Sequence, residues 1–342
     1  MKFTYGIVTY NSESTIIETL ESIKYQINLY GSDFENYLVI SDDCSKDFTL
    51  NVIENWLQIN RNIFYDVKVL STKVNSGLCV NYSLMLENIK TDFFIQLAGD
   101  DLICSQNIYT KIIGIPENEL HVFQKISFNS SGIINNLDDY VQQLFYSKFR
   151  HTNKKDLWIL EVLSPYSSVE ICFNKKHYSN GCLEYIKKFR NFEDDTSLFY
   201  ILTHNKATYF NFDMAPLVLY RREDKSLTKI VNSPGQIAFL DDLYVFRKHT
   251  LKNEKNILVK MILVLIVWDN FLMKHRFAAE RCLDRKIKCW INNYTKKKVL
   301  NDKKYEYDRT KYDLLIENES NYLKLIKDKT IEFYRLSGIK DE

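Results

Sequence analysis

Glycine and proline are scarce in this chain: nine Gly and four Pro stand among 342 residues, against average usage of about 7% and about 5%. With 45% of the residues hydrophobic and 14% aromatic, this excludes collagen-like and Pro/Gly-rich disordered chains and points to a sizeable buried core. Charge of one sign is lacking too. The formal net charge is +2, which argues against a general nucleic-acid binder. Paired cysteines are also missing. Cys44, Cys79, Cys104, Cys172, Cys182, Cys282 and Cys289 contain no Cys-x-x-Cys and are odd in number, which disfavours a disulfide framework or a zinc site and fits a reducing compartment. No signal-peptide apolar region precedes the first strand-like run, so the expected location is cytoplasmic. The excess of Tyr and Phe goes with abundant Lys, Asn and Ile and is read as a compositional bias of the source genome rather than a carbohydrate-binding signal. The near-neutral total hides an asymmetry. From Val231 to Glu342 there are 23 Lys or Arg against 16 Asp or Glu, whereas residues 1 to 230 hold 23 against 28.

What is present is a repeated strand, polar loop and helix. Phe3 to Thr9 is a β-rich apolar run that stops at Tyr10-Asn11-Ser12, and Ile16, Ile17, Leu20, Ile23 and Ile27 then recur at helical spacing. Tyr37 to Ser41 predicts a second strand, Asp42 to Asp47 a loop and Phe48 to Ile59 a helix. Val67 to Leu70, the turn Asn75-Ser76-Gly77 and Val80 to Ile89 repeat the pattern, and Asp92 to Leu97 is a fourth strand ending at Gly99-Asp100-Asp101. Strands alternating with helices call for a parallel sheet with helices on its faces. Beyond Leu102 the pattern loosens. His121 to Phe128 reads as apolar and strand-like, Leu137 to Phe149 as helix, Ser164 to Phe173 as loop and strand, and Leu183 to Leu202 as helix with an acidic interruption. Phe210 to Tyr220 is strand-like, and everything from about Val231 reads as helix.

In a parallel α/β sheet the ligand sits outside the carboxyl ends of the strands. The polar clusters fall at such ends: Tyr10 and Asn11 after the first strand, Asp42 and Asp43 after the second, Asp100 and Asp101 after the fourth. No Gly-x-Gly-x-x-Gly follows the first strand and no Gly-Lys-Ser/Thr loop occurs, which disfavours dinucleotide and P-loop sites. Two adjacent carboxylates such as Asp100 and Asp101 suit a hard divalent ion with open positions for diphosphate oxygens. The alternative is capping of a helix that would start near Ser105. Asp42-Asp43 suits the edge of a base or ribose hydroxyls, or alternatively a capped turn before the next helix.

These residues carry a resemblance. Thr9-Tyr10-Asn11, Ser41-Asp42-Asp43-Cys44-Ser45, Asn75-Ser76-Gly77 with Asn81, and Leu97-Ala98-Gly99-Asp100-Asp101 resemble, in order, the nucleotide-binding half of the inverting family 2 glycosyltransferases of the GT-A fold. The resemblance is strongest to bacterial enzymes that build O-antigen, capsule or other surface polysaccharide. It implies a Rossmann-like, mostly parallel α/β sheet with helices on both faces. It also implies that Thr9, Tyr10, Asn11, Asn75 and Gly77 line the nucleotide-sugar site, that Asp42 or Asp43 reads base and ribose, that Asp100 lies near the ribose, and that Asp101 binds Mn²⁺ or Mg²⁺. The acid that often stands two residues before the final pair is here Ala98. Phe192-Glu193-Asp194-Asp195-Thr196 resembles the family's Glu-Asp element, which implies Asp194 as catalytic base with Asp195 as the fallback. Tyr220-Arg221-Arg222 up to Ser226-Leu227-Thr228 resembles a third element, with Glu223 where a His is common; Arg221 is expected to reach the diphosphate.

The resulting expectation is a GT-A catalytic domain over residues 1–230, divided into a nucleotide-binding half (1–102) and an acceptor-binding half (103–230), and a helical region over 231–342. It would be an inverting, metal-dependent hexosyltransferase that uses a nucleoside-diphosphate sugar, UDP-linked for preference, and a glycan or lipid-linked glycan acceptor. The rivals are a nucleotidyltransferase, which would need a basic residue that the Thr9 to Ser14 loop lacks, and a non-catalytic sugar-binding relative. Ile257 to Met273 is strongly apolar, with Ile262 to Trp268 unbroken, but Lys260 and Asp269 flank a core too short for the roughly 20 residues of a bilayer span; it is expected to be a buried helix. Asp241 to Leu300 holds 14 Lys or Arg against 6 acids, including Lys274, Arg276, Arg281 and Lys296-Lys297-Lys298. That surplus suits either a solvated helical face or peripheral contact with anionic lipid.

Overall fold

Along the first strand, β1 (Lys2–Thr9), side chains alternate between two faces. Phe3, Tyr5 and Ile7 enter one hydrophobic cluster with α1 (Ile16–Tyr30) and α2 (Thr49–Asn60). On the other face lies α3 (Leu78–Asn88), so close that a Cβ on Gly6 would stand 2.8 Å from the Met85 sulfur. Strands β2 (Glu35–Asp42), β3 (Asp66–Ser71) and β4 (Phe93–Ala98) complete a parallel sheet of order β3-β2-β1-β4. All four strands and three helices lie where the periodicity places them, within one to three residues at each end.

The computed structural model describes residues 1–146, 171–204, 209–223, 233–274, 282–305 and 307–338. Beyond the first sheet, β5 (Leu102–Ile103), α4 (Tyr109–Ile112), β6 (Glu119–Asn129), β7 (Gly132–Ile133), α5 (Leu137–Tyr146), β8 (Ile171–Phe173), α6 (Asn180–Ile186), α7 (Glu193–His204) and β9 (Tyr209–Arg221) follow in order. They build a second sheet of order β5-β9-β6-β7 with β8 on β6, in which β6 and β9 run parallel and the other pairs antiparallel. Asp100 and Asp101 lead into β5 and cap no helix. The expected single helix from Leu183 is two helices, with the break over 187–192. Most of the segment read as loop and strand from Ser164, the residues Asp224 to Thr228, and Arg276 and Arg281 lie outside the described residues.

Four helices close the chain: α8 (Pro234–Asn253), α9 (Ile257–Lys274), α10 (Cys282–Asn301) and α11 (Arg309–Ser337). The last returns to the first sheet. Phe333 joins the α1 and α2 cluster, and Tyr322, Leu323 and Ile326 pack with Leu102, Phe128 and Leu219. Glu319, wholly buried, accepts from Ser105 N at 3.1 Å and Ser105 Oγ at 2.7 Å, and the Tyr334 hydroxyl donates to the Glu13 carbonyl at 3.1 Å. The expectation of a buried helix at Ile257 to Met273 is corrected: α9 buries one side only, and its other side is exposed. The hydrophobic run reads the same whether one face or all faces are covered.

Because Leu323 is buried inside a shared core, Leu323→Ala should lower stability by about 2–5 kcal/mol. Urea unfolding followed by circular dichroism checks this; a loss below about 0.5 kcal/mol would mean that α11 is an appendage.

Candidate active site

Three strand ends meet on one side of the parallel sheet. Thr9 of β1 pairs with Asp42 of β2, and Val8 with Ala98 of β4, so Tyr10, Asp43 and Gly99-Asp100 emerge side by side. Asn81 of α3, buried below them, donates to the carbonyls of Ser41 (2.9 Å) and Thr9 (3.3 Å) and accepts from Ser41 Oγ (2.6 Å). One amide side chain thus satisfies backbone at two strand ends.

A cavity of about 600 Å³ opens there. Of the expected residues it gathers Thr9, Tyr10, Asp43, Asn75, Gly77 and Asp100. Asp43 and Asp42, left as alternatives by the sequence, have different surroundings. Asp42 points into the loop, accepting from Ser45 N at 2.9 Å, from the Ser45 hydroxyl and from Ser71 Oγ at 3.2 Å, and it does not line the cavity. Asp43 does line it, and its carboxylate accepts from Ser76 N (2.7 Å), Gly77 N (2.8 Å) and Thr72 Oγ1 (3.1 Å). Asn11 takes the left-handed conformation, φ 51°, and staples the Ser45-Lys46 loop: its amide donates to Ser45 Oγ and its Oδ1 accepts from Lys46 N, both at 2.8 Å.

The acid turn is tied to the second sheet by Arg221, whose N–H donates to Asp101 Oδ1 at 2.9 Å and whose Nε donates to the Asp100 carbonyl at 2.8 Å. The guanidinium pairs with Glu18 and lies over the Phe128 ring, 4.5 Å from its centroid. It is therefore engaged away from the cavity, and its geometry is that of a clamp on the acid turn. Burial pushes the Asp100 carboxyl up, opposed by Arg221; burial, and then repulsion from Asp100, push Asp101 higher still. Asp101 Oδ2 and Thr9 Oγ1 are buried without a hydrogen-bond partner. Among the described residues no group of three or more His, Cys, Asp or Glu encloses a metal site. Two adjacent carboxylates with one orphaned oxygen nonetheless fit a hard cation that fills its other positions with water and ligand oxygens.

Asp194 stands in the first turn of α7, where backbone amides favour negative charge. Its side chain is hydrogen-bonded to that of Glu193, whose carboxyl is pushed well up by burial and by the Asp194 charge. Asp195 is buried, Asp194 only partly so. The Tyr220 phenol is raised chiefly by burial, and further by the charges of Asp101, Asp194 and Asp100; Asp194 is not among the residues that line the cavity. Sequence reading missed Arg190, Asn191 and the Ser233-Pro234-Gly235 turn, all of which line the cavity. Arg190 Nη2 donates to Asn75 Oδ1 at 2.8 Å. Its one cue in the sequence is its place just ahead of Glu193-Asp194-Asp195.

A parallel sheet of this kind, with carboxylates and a cavity at the carboxyl ends of its strands, has the arrangement of a GT-A fold. Residues 4–124 match the family model "Glycosyl transferase family 2". Over 123 residues the chain is 32% identical to the poly(ribitol-phosphate) beta-N-acetylglucosaminyltransferase TarS of two Staphylococcus aureus strains, Mu50 and MW2. That match takes in 36% of this chain and 20% of the relative, so the chain aligns with about a fifth of the curated relatives' length. Among solved structures, S. aureus TarS 1–349 in complex with UDP-GlcNAc is similar at a TM-score of 0.56 and 18% identity, over 80% of this chain and 73% of that one. Another structure of TarS 1–349 gives 0.53 and 18%, over 98% and 90%. At such identity the likeness is one of fold, and it extends through the helical C-terminal region.

Gly77 is required twice over. Its φ is +93°, and a Cβ there would stand 2.8 Å from the Arg190 carbonyl oxygen and 2.6 Å from Arg190 Cγ. Gly77→Ala should therefore cost about 1–3 kcal/mol and open the cavity wall, lowering both the thermal midpoint and ligand affinity. An unchanged midpoint would show that the turn relaxes freely.

Proposed function

We propose that the chain is an inverting, metal-dependent glycosyltransferase that moves a hexosyl unit from a UDP-sugar to a hydroxyl of a surface-glycan acceptor. The observation that carries this reading is the cavity at the carboxyl ends of β1, β2 and β4, walled by Thr9, Tyr10, Asp43 and Asp100, beside the orphaned oxygens of Thr9 and Asp101. The S. aureus relative, named as acting on poly(ribitol-phosphate), and its structure with UDP-GlcNAc support the donor class and the kind of polymer. Residues 1–230 form the catalytic region in this reading, with the nucleotide in the half ending near 102. A lipid-linked acceptor places the work in the cytoplasm, at the inner face of the membrane.

The roles in this reading are as follows. Thr9 and Tyr10 hold the base, and Asp43, already aligned by three donors, accepts from base or ribose. Asp100 faces the ribose side of the cavity. Asp101, with Asp100, would hold Mn²⁺ or Mg²⁺, which when bound offsets the charge of the diphosphate. Arg221 keeps the Asp101 carboxylate and the Asp100 backbone in place. Asp194 takes the proton of the acceptor hydroxyl as that oxygen attacks the anomeric carbon. The bond to the diphosphate oxygen breaks on the opposite face, and the configuration inverts. Glu193, hydrogen-bonded to Asp194 and pushed up by burial, orients the base in this reading.

Asp194→Asn should lower turnover by about 10²–10⁴-fold while nucleotide binding persists, and Glu193→Gln, which still donates, should retain most activity. Normal turnover of Asp194→Asn would overturn the assignment. A thermal-shift screen of nucleotide sugars with and without Mn²⁺ tests the donor, since a ligand of the folded state raises stability by RT ln(1 + [L]/Kd). The expected result is a selective upward shift with UDP-sugars, larger with metal; no shift with any nucleotide would remove the transfer reading.

A further inference from the structure

Helix α9 breaks the usual rule for a surface helix. Val259, Leu263, Ile266 and Asn270 recur at helical spacing and are buried, and the helix packs against α8 and α10. The opposite side carries Leu258, Met261, Ile262, Val264, Leu265 and Trp268, each between 38% and 69% exposed. Only one charged residue, Lys260, interrupts them. Outward faces of helices in water are polar, and a contiguous apolar patch rimmed by polar residues marks an interaction site.

The surrounding charge identifies the partner. Among the described side chains of α8, α9 and α10, every charged residue that stands exposed is a lysine: Lys248, Lys252, Lys260, Lys286, Lys297 and Lys298. Helix α10 also exposes Trp290 and Tyr294, stacked at 6.0 Å, residue types that sit well at the boundary between water and hydrocarbon. A second copy of the chain seated on this face would bring lysines against lysines, with no exposed carboxylate among the described side chains of these helices to pair them. An anionic lipid surface offers the apolar layer and the negative charge at once. No described helix is long and apolar enough to cross a membrane, so α9 would lie in the plane of the interface.

We propose that the outward face of α9, together with the exposed lysines of the neighbouring α8 and α10, docks the protein on an anionic membrane surface. The inference stands apart from the transfer reading, because it is read by lipid binding and not by activity. The test is flotation of the full chain with vesicles of phosphatidylglycerol in phosphatidylcholine, against phosphatidylcholine alone, at low and high salt. Wild type should float with the anionic vesicles and less so at high salt. Leu265→Glu with Trp268→Glu should lower the bound fraction by about tenfold or more. Lys297→Glu with Lys298→Glu should weaken binding to the anionic vesicles alone, and all four side chains already face water, so the thermal midpoint should hold in both variants. Should the apolar variant prove less stable, the lysine variant decides. Wild type that stays unbound, that floats equally on both lipids, or whose flotation survives Leu265→Glu with Trp268→Glu overturns the proposal. Self-association in sedimentation that is lost with Trp268→Glu, in the absence of lipid binding, assigns the face to a second copy and overturns it as well.

Discussion

Arg221, at the end of β9, reaches from the second sheet to the acid turn of the first, and the geometry of the cavity depends on that reach. Its backbone N–H holds an Asp101 oxygen, its Nε holds the Asp100 carbonyl, and its guanidinium closes on Glu18 of α1 above the Phe128 ring. The guanidinium thus pairs with one carboxylate, Glu18, and acts on those of Asp100 and Asp101 through its charge, as Lys125 does on Asp101. Burying like charges together is costly unless cations offset them. The upward push on both aspartates comes first from burial. In the proposed reading a cation bound with the diphosphate would offset that cost.

The first sheet was legible because each of its parts is local. Ile16, Ile17, Leu20 and Ile23 announce one helix by their spacing alone, and a parallel strand buried on both faces reads as an apolar run. Acidic clusters at strand ends then mark the ligand side without any knowledge of tertiary contacts. What was not legible depends on contacts between distant segments. Arg190 enters the cavity only because its carbonyl accepts from Cys79 N at 2.9 Å and its guanidinium meets Asn75, residues more than a hundred positions earlier. The choice between Asp42 and Asp43 rests on which carboxylate the Ser76 and Gly77 amides reach. Arg221 looked like a free phosphate ligand because its partner Glu18 lies 203 positions away.

The C-terminal helices illustrate a second limit of pattern. Residues from about Val231 onward read uniformly as helix, yet they divide into two kinds of surface. Helix α11 is amphipathic in the ordinary way and sends Tyr322, Leu323, Ile326 and Phe333 into clusters shared with the two sheets. Helix α9 is apolar on nearly every side, so periodicity cannot tell which side is covered. Only the packing of α8 and α10 against one side shows which side is covered. Part of the surplus of positive charge seen in the composition stands as exposed lysines on these three helices.

The cavity and the uncovered face are also mechanically related. Asp242 of α8 accepts from Arg190 N at 2.8 Å and from Asn191 N at 2.6 Å, fixing the turn that forms one wall of the cavity. The Arg190 carbonyl in turn holds the start of α3 through Cys79 N, beside Gly77. Helix α8 is thus bonded to the cavity wall and packs along α9. A surface that docks through α9 therefore also sets the direction in which the cavity opens, with no hinge needed between them. If the proposed transfer takes an acceptor presented at a lipid surface, orientation of this kind matters as much as affinity, because attack on the anomeric carbon demands an acceptor hydroxyl held in line with the departing diphosphate.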